Sequence, residues 1–169
     1  PALLCGVVAV VADEEGLHPA RFLPRADLDV VVAVPEIGVA TAEARALLPA
    51  TVPHADAVFN VGRAALLVAA LLTGEERLLR PAMRDRLHQP YRARLVPGLP
   101  EVLAAAEAAG AYGAVLAGSG SSVAALAPPE RSERVGAAMV DVFARRGIAA
   151  ELLLTQVDPH GAVVHEEVP

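Results

Sequence analysis

The sequence predicts an α+β fold in which an antiparallel sheet carries helices on one face, in the ferredoxin-like arrangement. Valine-rich segments alternate with alanine- and leucine-rich segments of helical pattern. Over roughly the last hundred residues, with an earlier strand at Leu28, the order is strand, helices, strand-loop-strand, helix and strand. The composition agrees, because a chain of 169 residues that is 54% hydrophobic can bury one sizeable core.

The first elements are two valine-rich runs. Residues 3–11 read as a buried strand, and a loop containing Gly16, Pro19 and Pro24 follows. Residues 28–34 form a second dense run of valine, which predicts another buried strand.

Two helices follow. Residues 41–48 consist of helix-forming side chains, with Thr41 placed as the N-cap and Pro49 as the stop. In residues 54–73 the apolar side chains lie nearly all round the helical wheel, and Gly74 ends the pattern. We therefore expect this second helix to pack on most of its faces, as the central helix of the core.

The middle of the chain changes character. Residues 75–88 predict a polar, arginine-rich helix that Pro81 breaks or divides in two. An alanine-rich helix over residues 99–109 comes next. Two strands, residues 111–117 and 122–127, then enclose a glycine-rich loop.

The last elements are a helix and one or two strands. The helix opens at Pro128 and runs to Gly147, and a strand follows over residues 149–157. The turn at residues 158–161 predicts a possible return strand to Val164.

The loop between the paired strands is the first candidate for chemistry. It contains Gly118, Ser119, Gly120 and Ser121 and no bulky side chain. Glycine permits positive φ and close approach of a ligand, so that consecutive backbone N–H groups can surround a phosphate. The plain alternative is a glycine-rich hairpin turn.

Composition excludes several mechanisms and partners. All 14 basic residues are arginine, so a Schiff-base lysine and the lysine of a Walker A loop are both excluded. The formal net charge of −6 argues against a nucleic-acid partner. The single cysteine, Cys5, lies in an apolar run, which predicts a buried thiol in a reducing cytoplasm and rules out an intramolecular disulfide.

Two further expectations concern membranes and metals. The longest unbroken apolar runs, such as residues 64–72, fall short of the roughly 20 residues that a membrane helix needs, so we expect no membrane partner. The histidines are spaced in no pattern of metal ligands, so we assign no metal site.

Separated segments of the chain resemble the homoserine kinases of the GHMP kinase superfamily in order and spacing. The resemblance implies a two-domain enzyme that transfers the γ-phosphoryl group of ATP, with Mg²⁺, to the hydroxyl of L-homoserine in threonine synthesis. It covers this whole chain but only the C-terminal half of the family's length. The segments that carry it are Pro1-Ala2-Leu3-Leu4, Thr41-Ala42-Glu43-Ala44-Arg45 with Leu48-Pro49, Phe59-Asn60, Pro90-Tyr91-Arg92 with Leu95-Val96-Pro97-Gly98, and Gly118-Ser119-Gly120.

The resemblance also implies a division of the chain. Residues 1–25 correspond to the end of an N-terminal kinase domain and residues 26–169 to the C-terminal GHMP-type domain. The ATP-cradling loop, the magnesium-binding glutamate and a histidine-aspartate-asparagine motif are expected before Pro1, so no catalytic residue is named here. We therefore expect no measurable kinase activity from these 169 residues alone.

Arg45 and Arg92 are the predicted substrate-binding residues. The guanidinium of arginine offers two parallel N–H donors to a carboxylate, so two arginines from separate segments could clamp an amino-acid substrate. Thr41 is a further candidate contact, although a capping role would explain it equally well. On spacing alone both arginines could be solvated surface charges, and it is the resemblance that favours the clamp.

The glycine loop departs from the family pattern at two positions. Ala117 stands where the family usually has serine, and Ser121 where it has proline. Loss of the proline frees φ and adds an N–H group, so we expect a more flexible loop whose glycines still permit close approach.

Three other polar residues are given no catalytic role. We expect Arg63 to extend out of its apolar helix, Asn60 to satisfy a backbone group, and Asp85 to be one of several solvated charges.

Two alternatives stay open for the function. One is another GHMP small-molecule kinase, although the segments at Arg45 and Arg92 favour homoserine as the acceptor. The other is a non-catalytic ferredoxin-like module that binds a small ligand, because a fold does not dictate a function. The oligomeric state, with a homodimer among the options, is not determined by the sequence.

Overall fold

A computed structural model of the chain describes residues 8–159. The predicted burial of Cys5 and the return strand to Val164 lie outside the described residues. The strands are β1 Val8–Asp13, β2 Gly16–Arg21, β3 Asp29–Pro35, β4 Gly113–Leu116, β5 Val123–Ala127 and β6 Ala150–Gln156. The α-helices are α1 Thr41–Ala46, α2 His54–Thr73, α3 Leu79–Ala82, α4 Gln89–Arg92, α5 Leu99–Ala109 and α6 Ser132–Ala144, with short 3-10 turns at Glu76–Leu78, Ala93–Leu95 and Pro129–Arg131.

The main sheet has four antiparallel strands in the order β4-β5-β3-β6. Strand β3 is central, pairing Val31 with Ala125 of β5 on one side and with Leu154 of β6 on the other. Strands β1 and β2 form a separate antiparallel hairpin. The predicted antiparallel sheet with helices is confirmed.

Helices α5 and α6 cover one face of the main sheet and form the core with it. The buried residues of β3 and β5 alternate along each strand, as Val31 and Ala33 do in β3. Phe143 and Met139 of α6 are fully buried against this face. Gly136 lets α6 approach β6 closely, because a Cβ there would lie 2.5 Å from the Leu152 side chain.

Helix α2 lies on the other side of the sheet, and the prediction that it packs on most of its faces is wrong. Ala70 is the only buried residue of α2 within residues 8–159, where it joins Leu28 and Leu79 in a small second cluster. An apolar wheel is compatible with burial on every side, but the described chain supplies a neighbour for one side alone. By length and composition α2 could cross a membrane, which the search for unbroken apolar runs missed because Asn60 and Arg63 interrupt it.

Two local predictions are corrected by the structure. The expected loop after the first strand contains β2, because Glu15 donates its backbone N–H to Asp13 Oδ1 at 2.9 Å and Gly16 adopts a φ of 130° in a tight turn. The expected helix over residues 75–88 is reduced to a 3-10 turn and the four residues of α3. Residues 83–88 are irregular because Asp85 binds backbone N–H groups, as described below.

Candidate functional site

The glycine loop connects β4 to β5 as a hairpin turn, which is the plain alternative that the sequence offered. Ala117 donates its backbone N–H to the Ser122 carbonyl at 2.9 Å, and Gly120 donates to the Ala117 carbonyl at 3.0 Å. Gly118 and Gly120 have φ of 59° and 95°, values that residues with a side chain rarely adopt. Within residues 8–159 the N–H groups of Gly118 and Ser119 meet no acceptor. The loop therefore has free backbone donors for an anion.

Arg92 joins the predicted parts of the site. Its Nη1 donates to the Gly118 carbonyl at 2.9 Å, and its Nε lies 3.4 Å from the Ala44 carbonyl. One side chain at the end of α4 therefore contacts both the glycine loop and α1, two segments that are far apart in sequence. Because a guanidinium has five N–H donors, three of them remain after these two bonds.

Thr41 and Arg45 lie on α1, and both are exposed. Thr41 is not the N-cap that the sequence predicts, because helical geometry begins at Thr41 and Ala40 is the capping residue. No side chain caps this helix, so the Thr41 hydroxyl is not consumed by a backbone N–H. In the described part of the chain neither side chain forms an ion pair or a hydrogen bond, and both are accessible to a ligand.

Ser121 attaches the glycine loop to the end of β3. Its hydroxyl donates to the Ile37 carbonyl at 2.7 Å and lies 3.5 Å from the Pro35 carbonyl. This hydrogen bond restrains the loop, whereas the sequence predicted that Ser121 would make the loop more flexible.

Asp85 is a buried structural carboxylate, and the prediction that it is a solvated charge is wrong. Its side chain is 8% exposed. It accepts backbone hydrogen bonds from Leu87 at 3.2 Å, His88 at 2.9 Å and Gln89 at 2.7 Å, and one from Asn60 Nδ2 at 2.6 Å. Burial opposes ionisation, but these four donors outweigh it and lower the pKa of Asp85 below its ordinary value of 3.8. With its lone pairs occupied, this carboxylate holds the backbone that leads into α4.

Gln89 is a contributor to the site that the sequence analysis missed. Its side chain is buried, and its Oε1 accepts the Leu116 backbone N–H at 2.8 Å. Leu116 is the last residue of β4 before the glycine loop, so Gln89 holds α4 against the base of that loop. No local pattern signals this contact, because Gln89 and Leu116 are 27 positions apart in the chain.

Asn60 satisfies a backbone group, as predicted, and Arg63 contacts an aromatic ring of its own helix. Asn60 Oδ1 accepts the Arg86 backbone N–H at 2.9 Å while its Nδ2 binds Asp85. The guanidinium groups of Arg63 and Arg86 lie 4.4 Å and 4.0 Å from the centre of the Phe59 ring. These contacts attach the inner side of α2 to the segment that carries Gln89 and Arg92.

Two other features of the described residues bear on ligands. A groove of about 360 Å³ separates α2 from β4 and β5, with Asp85 and His88 at its rim and Leu67 and Leu126 along its wall. No group of three or more metal-ligating side chains occurs within residues 8–159.

The sequence of the chain is similar to those of known proteins. Residues 67–145 match the family model described as the GHMP kinases C-terminal domain. The chain is 43% identical to the homoserine kinase of Desulfitobacterium hafniense over 164 residues, which is 97% of this chain and 55% of that protein. The homoserine kinase of Moorella thermoacetica is 44% identical over the same shares of the two chains. The chain therefore spans about half the length of the curated relatives that it matches.

Solved structures agree with the sequence comparison. The crystal structure of homoserine kinase from Cytophaga hutchinsonii superposes with a TM-score of 0.89 at 31% identity, over 95% of this chain and 51% of that one. The phosphomevalonate kinase of Streptococcus pneumoniae gives a TM-score of 0.62 at 14% identity, over 83% of this chain and 44% of that one. The second likeness concerns the fold alone.

Proposed function

We propose that the chain is the C-terminal part of a homoserine kinase, because residues 67–145 match the family model of the GHMP kinases C-terminal domain. The proposed reaction transfers the γ-phosphoryl group of ATP to the side-chain hydroxyl of L-homoserine, giving O-phospho-L-homoserine. Identity above 40% to homoserine kinases over nearly the whole chain supports this substrate over mevalonate-type or sugar substrates. The single structural observation that carries the site is the bond from Arg92 to Gly118, which unites the proposed acceptor-binding and phosphate-binding elements.

We assign the residues of the chain to two parts of such an enzyme. Residues 1–25, which include the β1–β2 hairpin, are the end of the N-terminal domain, and residues 26–169 are the C-terminal domain. The separate pairing of β1 with β2 supports a boundary between them.

Arg45 and Arg92 would bind the carboxylate of L-homoserine, with Thr41 as a further contact. Phosphoryl transfer depends on positioning and on stabilisation of charge, with little covalent chemistry for the protein to perform. Two arginines on the carboxylate would therefore serve to aim the substrate hydroxyl at the γ-phosphorus atom. The internal bonds of Arg92 keep its guanidinium in place before substrate arrives.

The loop of Gly118, Ser119, Gly120 and Ser121 would face the phosphates of ATP. The free backbone N–H groups of Gly118 and Ser119 suit a phosphate oxygen, and the loop is held by the bonds of Arg92 to Gly118 and of Ser121 to Ile37. Magnesium would neutralise charge on the transferred group, and we assign its ligands and the catalytic residues to the other half of the enzyme. We accordingly propose that this chain is inactive alone, that it acts in the cytoplasm, and that it has no membrane or nucleic-acid partner. A homodimer stays open.

A coupled ADP-release assay with L-homoserine tests the proposal. The 169-residue chain should show no turnover, whereas the same chain joined to the remaining half of a homoserine kinase should show turnover that needs ATP and Mg²⁺. Failure of the joined protein to phosphorylate L-homoserine, while it phosphorylates another small alcohol, would reassign the substrate.

The roles of the two arginines are tested in the joined protein. We expect Arg45→Ala and Arg92→Ala each to lower kcat/KM for L-homoserine roughly 30- to 1,000-fold, mostly by raising KM. This corresponds to a loss of about 2–4 kcal/mol in transition-state binding. Arg145→Ala is the matched control, because Arg145 pairs with Asp141 on the exposed surface of α6. Equal kinetics of all three variants would remove Arg45 and Arg92 from the site.

A further inference from the structure

The outer side of α2 is an apolar stripe that the described chain leaves uncovered. Val58, Val61 and Leu72 are 57%, 71% and 42% exposed, and Ala65 between them is exposed as well. Their spacing of three, four and seven residues places them on one side of the helix. The stripe continues into Val52, which is 38% exposed in the segment that leads from α1.

No charge interrupts this stripe. Asp56 and Arg63 are the charged residues of α2, and both are engaged elsewhere, Asp56 with Arg86 at 3.2 Å and Arg63 with the Phe59 ring. A contiguous apolar surface on a helix is typical of a surface that is buried in a larger assembly. Its occupant must itself be apolar, since a charged partner would find no counter-charge here.

The inner side of α2 is hydrogen-bonded to the rest of the domain at both ends. Asn60 is bound to Asp85 and Arg86 near the start of the helix, and the Leu71 carbonyl accepts the Arg25 backbone N–H at 2.9 Å near its end. A helix crossing a bilayer would have to break these bonds. The anchoring therefore favours a protein over a membrane as the occupant.

We propose that this stripe, formed by Val58, Val61, Ala65 and Leu72, is the surface on which the other half of the kinase docks. The chain spans about half the length of its homoserine kinase relatives, so an intact protein of that size has a second part to place. Helices α5 and α6 already occupy the opposite face of the sheet, which leaves α2 as the open apolar helix among the described residues. A second copy of the chain on the same stripe would exclude that second part.

The position of the stripe fits this occupant. Val52 and Val58 follow α1 closely along the chain, and α1 carries Thr41 and Arg45. A half that supplies the ATP-cradling loop must lie beside those residues, and α2 is the next helix along the chain. The inference rests on the chain being half of a GHMP kinase, and it does not depend on which alcohol is phosphorylated.

The test measures binding and does not use activity. The N-terminal half of the Desulfitobacterium hafniense homoserine kinase is mixed with this chain and followed by sedimentation velocity. We expect a one-to-one complex that Val61→Asp weakens at least tenfold. Ala104→Asp, which adds the same charge at an exposed position of α5, should leave the affinity unchanged. Because Val61 is 71% exposed, its substitution should not unfold the chain, and circular dichroism checks that it does not.

A second measurement covers the case in which the two separate halves do not associate. In a single polypeptide that joins them, maleimide should label Val61→Cys at least tenfold more slowly than Ala104→Cys. Equal labelling rates would overturn the proposal, as would a complex that Val61→Asp does not weaken. Self-association of the chain alone, abolished by Val61→Asp, would assign the stripe to a second copy. Binding to phosphatidylcholine-phosphatidylglycerol vesicles that Val61→Asp abolishes would assign it to a membrane.

Discussion

Replacement of Asp85 by alanine should destabilise the chain strongly, although Asp85 lies among arginines in a segment that reads as solvated. The substitution removes the acceptor of the Leu87, His88 and Gln89 amides, and it leaves the Asn60 amide without its bond of 2.6 Å. A hydrogen bond to a charged group contributes roughly 1.5–3 kcal/mol. Because some of these donors can reach water, we expect a loss of about 3 kcal/mol, below the simple sum.

Urea denaturation of the 169-residue chain, followed by circular dichroism at pH 7, measures this loss. Asp141→Ala is the control, because Asp141 is 60% exposed in its pair with Arg145 and should cost less than roughly 0.5 kcal/mol. A loss below about 1 kcal/mol for Asp85→Ala would refute the assignment of Asp85 as a buried acceptor of these backbone amides.

The pH dependence of the same measurement follows from the lowered pKa of Asp85. A carboxyl group whose pKa is lower in the folded state than in the unfolded state contributes stability above the unfolded value of 3.8. That contribution is lost as the pH falls through the lower, folded value. The stability difference between the wild type and Asp85→Asn should therefore be full at pH 6 and should shrink below pH 3.8. A difference that stays constant over this range would show that the charge of Asp85 contributes nothing.

Three further outcomes are expected. Gln89→Leu should cost about 1–3 kcal/mol in the urea assay, because the buried Leu116 N–H loses its acceptor, and an unchanged midpoint would contradict the described contact. Burial and a hydrogen bond with Glu76 raise the pKa of Tyr112 from 10.0 to about 12, which ultraviolet absorbance measures. The free energy of unfolding should therefore fall as the pH rises above 10.0, and Tyr112→Phe should abolish both effects. Gly120→Ala should lower the free energy of unfolding by about 1–2 kcal/mol, because a φ of 95° is strained for a residue with a side chain. Gly62→Ala, in open space on α2, should raise it by roughly 0.4–1 kcal/mol. A change of the same sign in both variants would contradict the assigned backbone of the loop.

Much of the fold could be predicted because its signals are local. The dense valine of β3, the alanine-rich α5 ending at Gly110 and the paired strands around the glycine loop each carry their own pattern and boundaries. The segment before Gln89 could not be predicted in this way. Its arginines suggest a helix that Pro81 interrupts, but the bond between Asp85 and Asn60 joins residues 25 positions apart in the chain.

The candidate site, too, was predictable only where its signals are local. Side-chain chemistry indicated the glycine loop and, with the resemblance to homoserine kinases, Arg45 and Arg92. Spacing along the chain could not indicate that Arg92 binds Gly118, or that Gln89 holds the end of β4, because both bonds join residues more than twenty positions apart. Thr41, Arg45 and Arg92 stay predicted substrate contacts, and the glycine loop a predicted phosphate contact.

The sequence by itself determined the order and type of most elements, the absence of lysine chemistry and the likeness to homoserine kinases, since these follow from composition, periodicity and motif. Only the tertiary structure decided which side of α2 is covered, that Asp85 is buried, and that Arg92 connects α1 to the glycine loop. The physical reason is that a helical wheel or a charge pattern states what a side chain can do in any surroundings. Burial and long-range hydrogen bonds depend on which distant segments the fold places beside it.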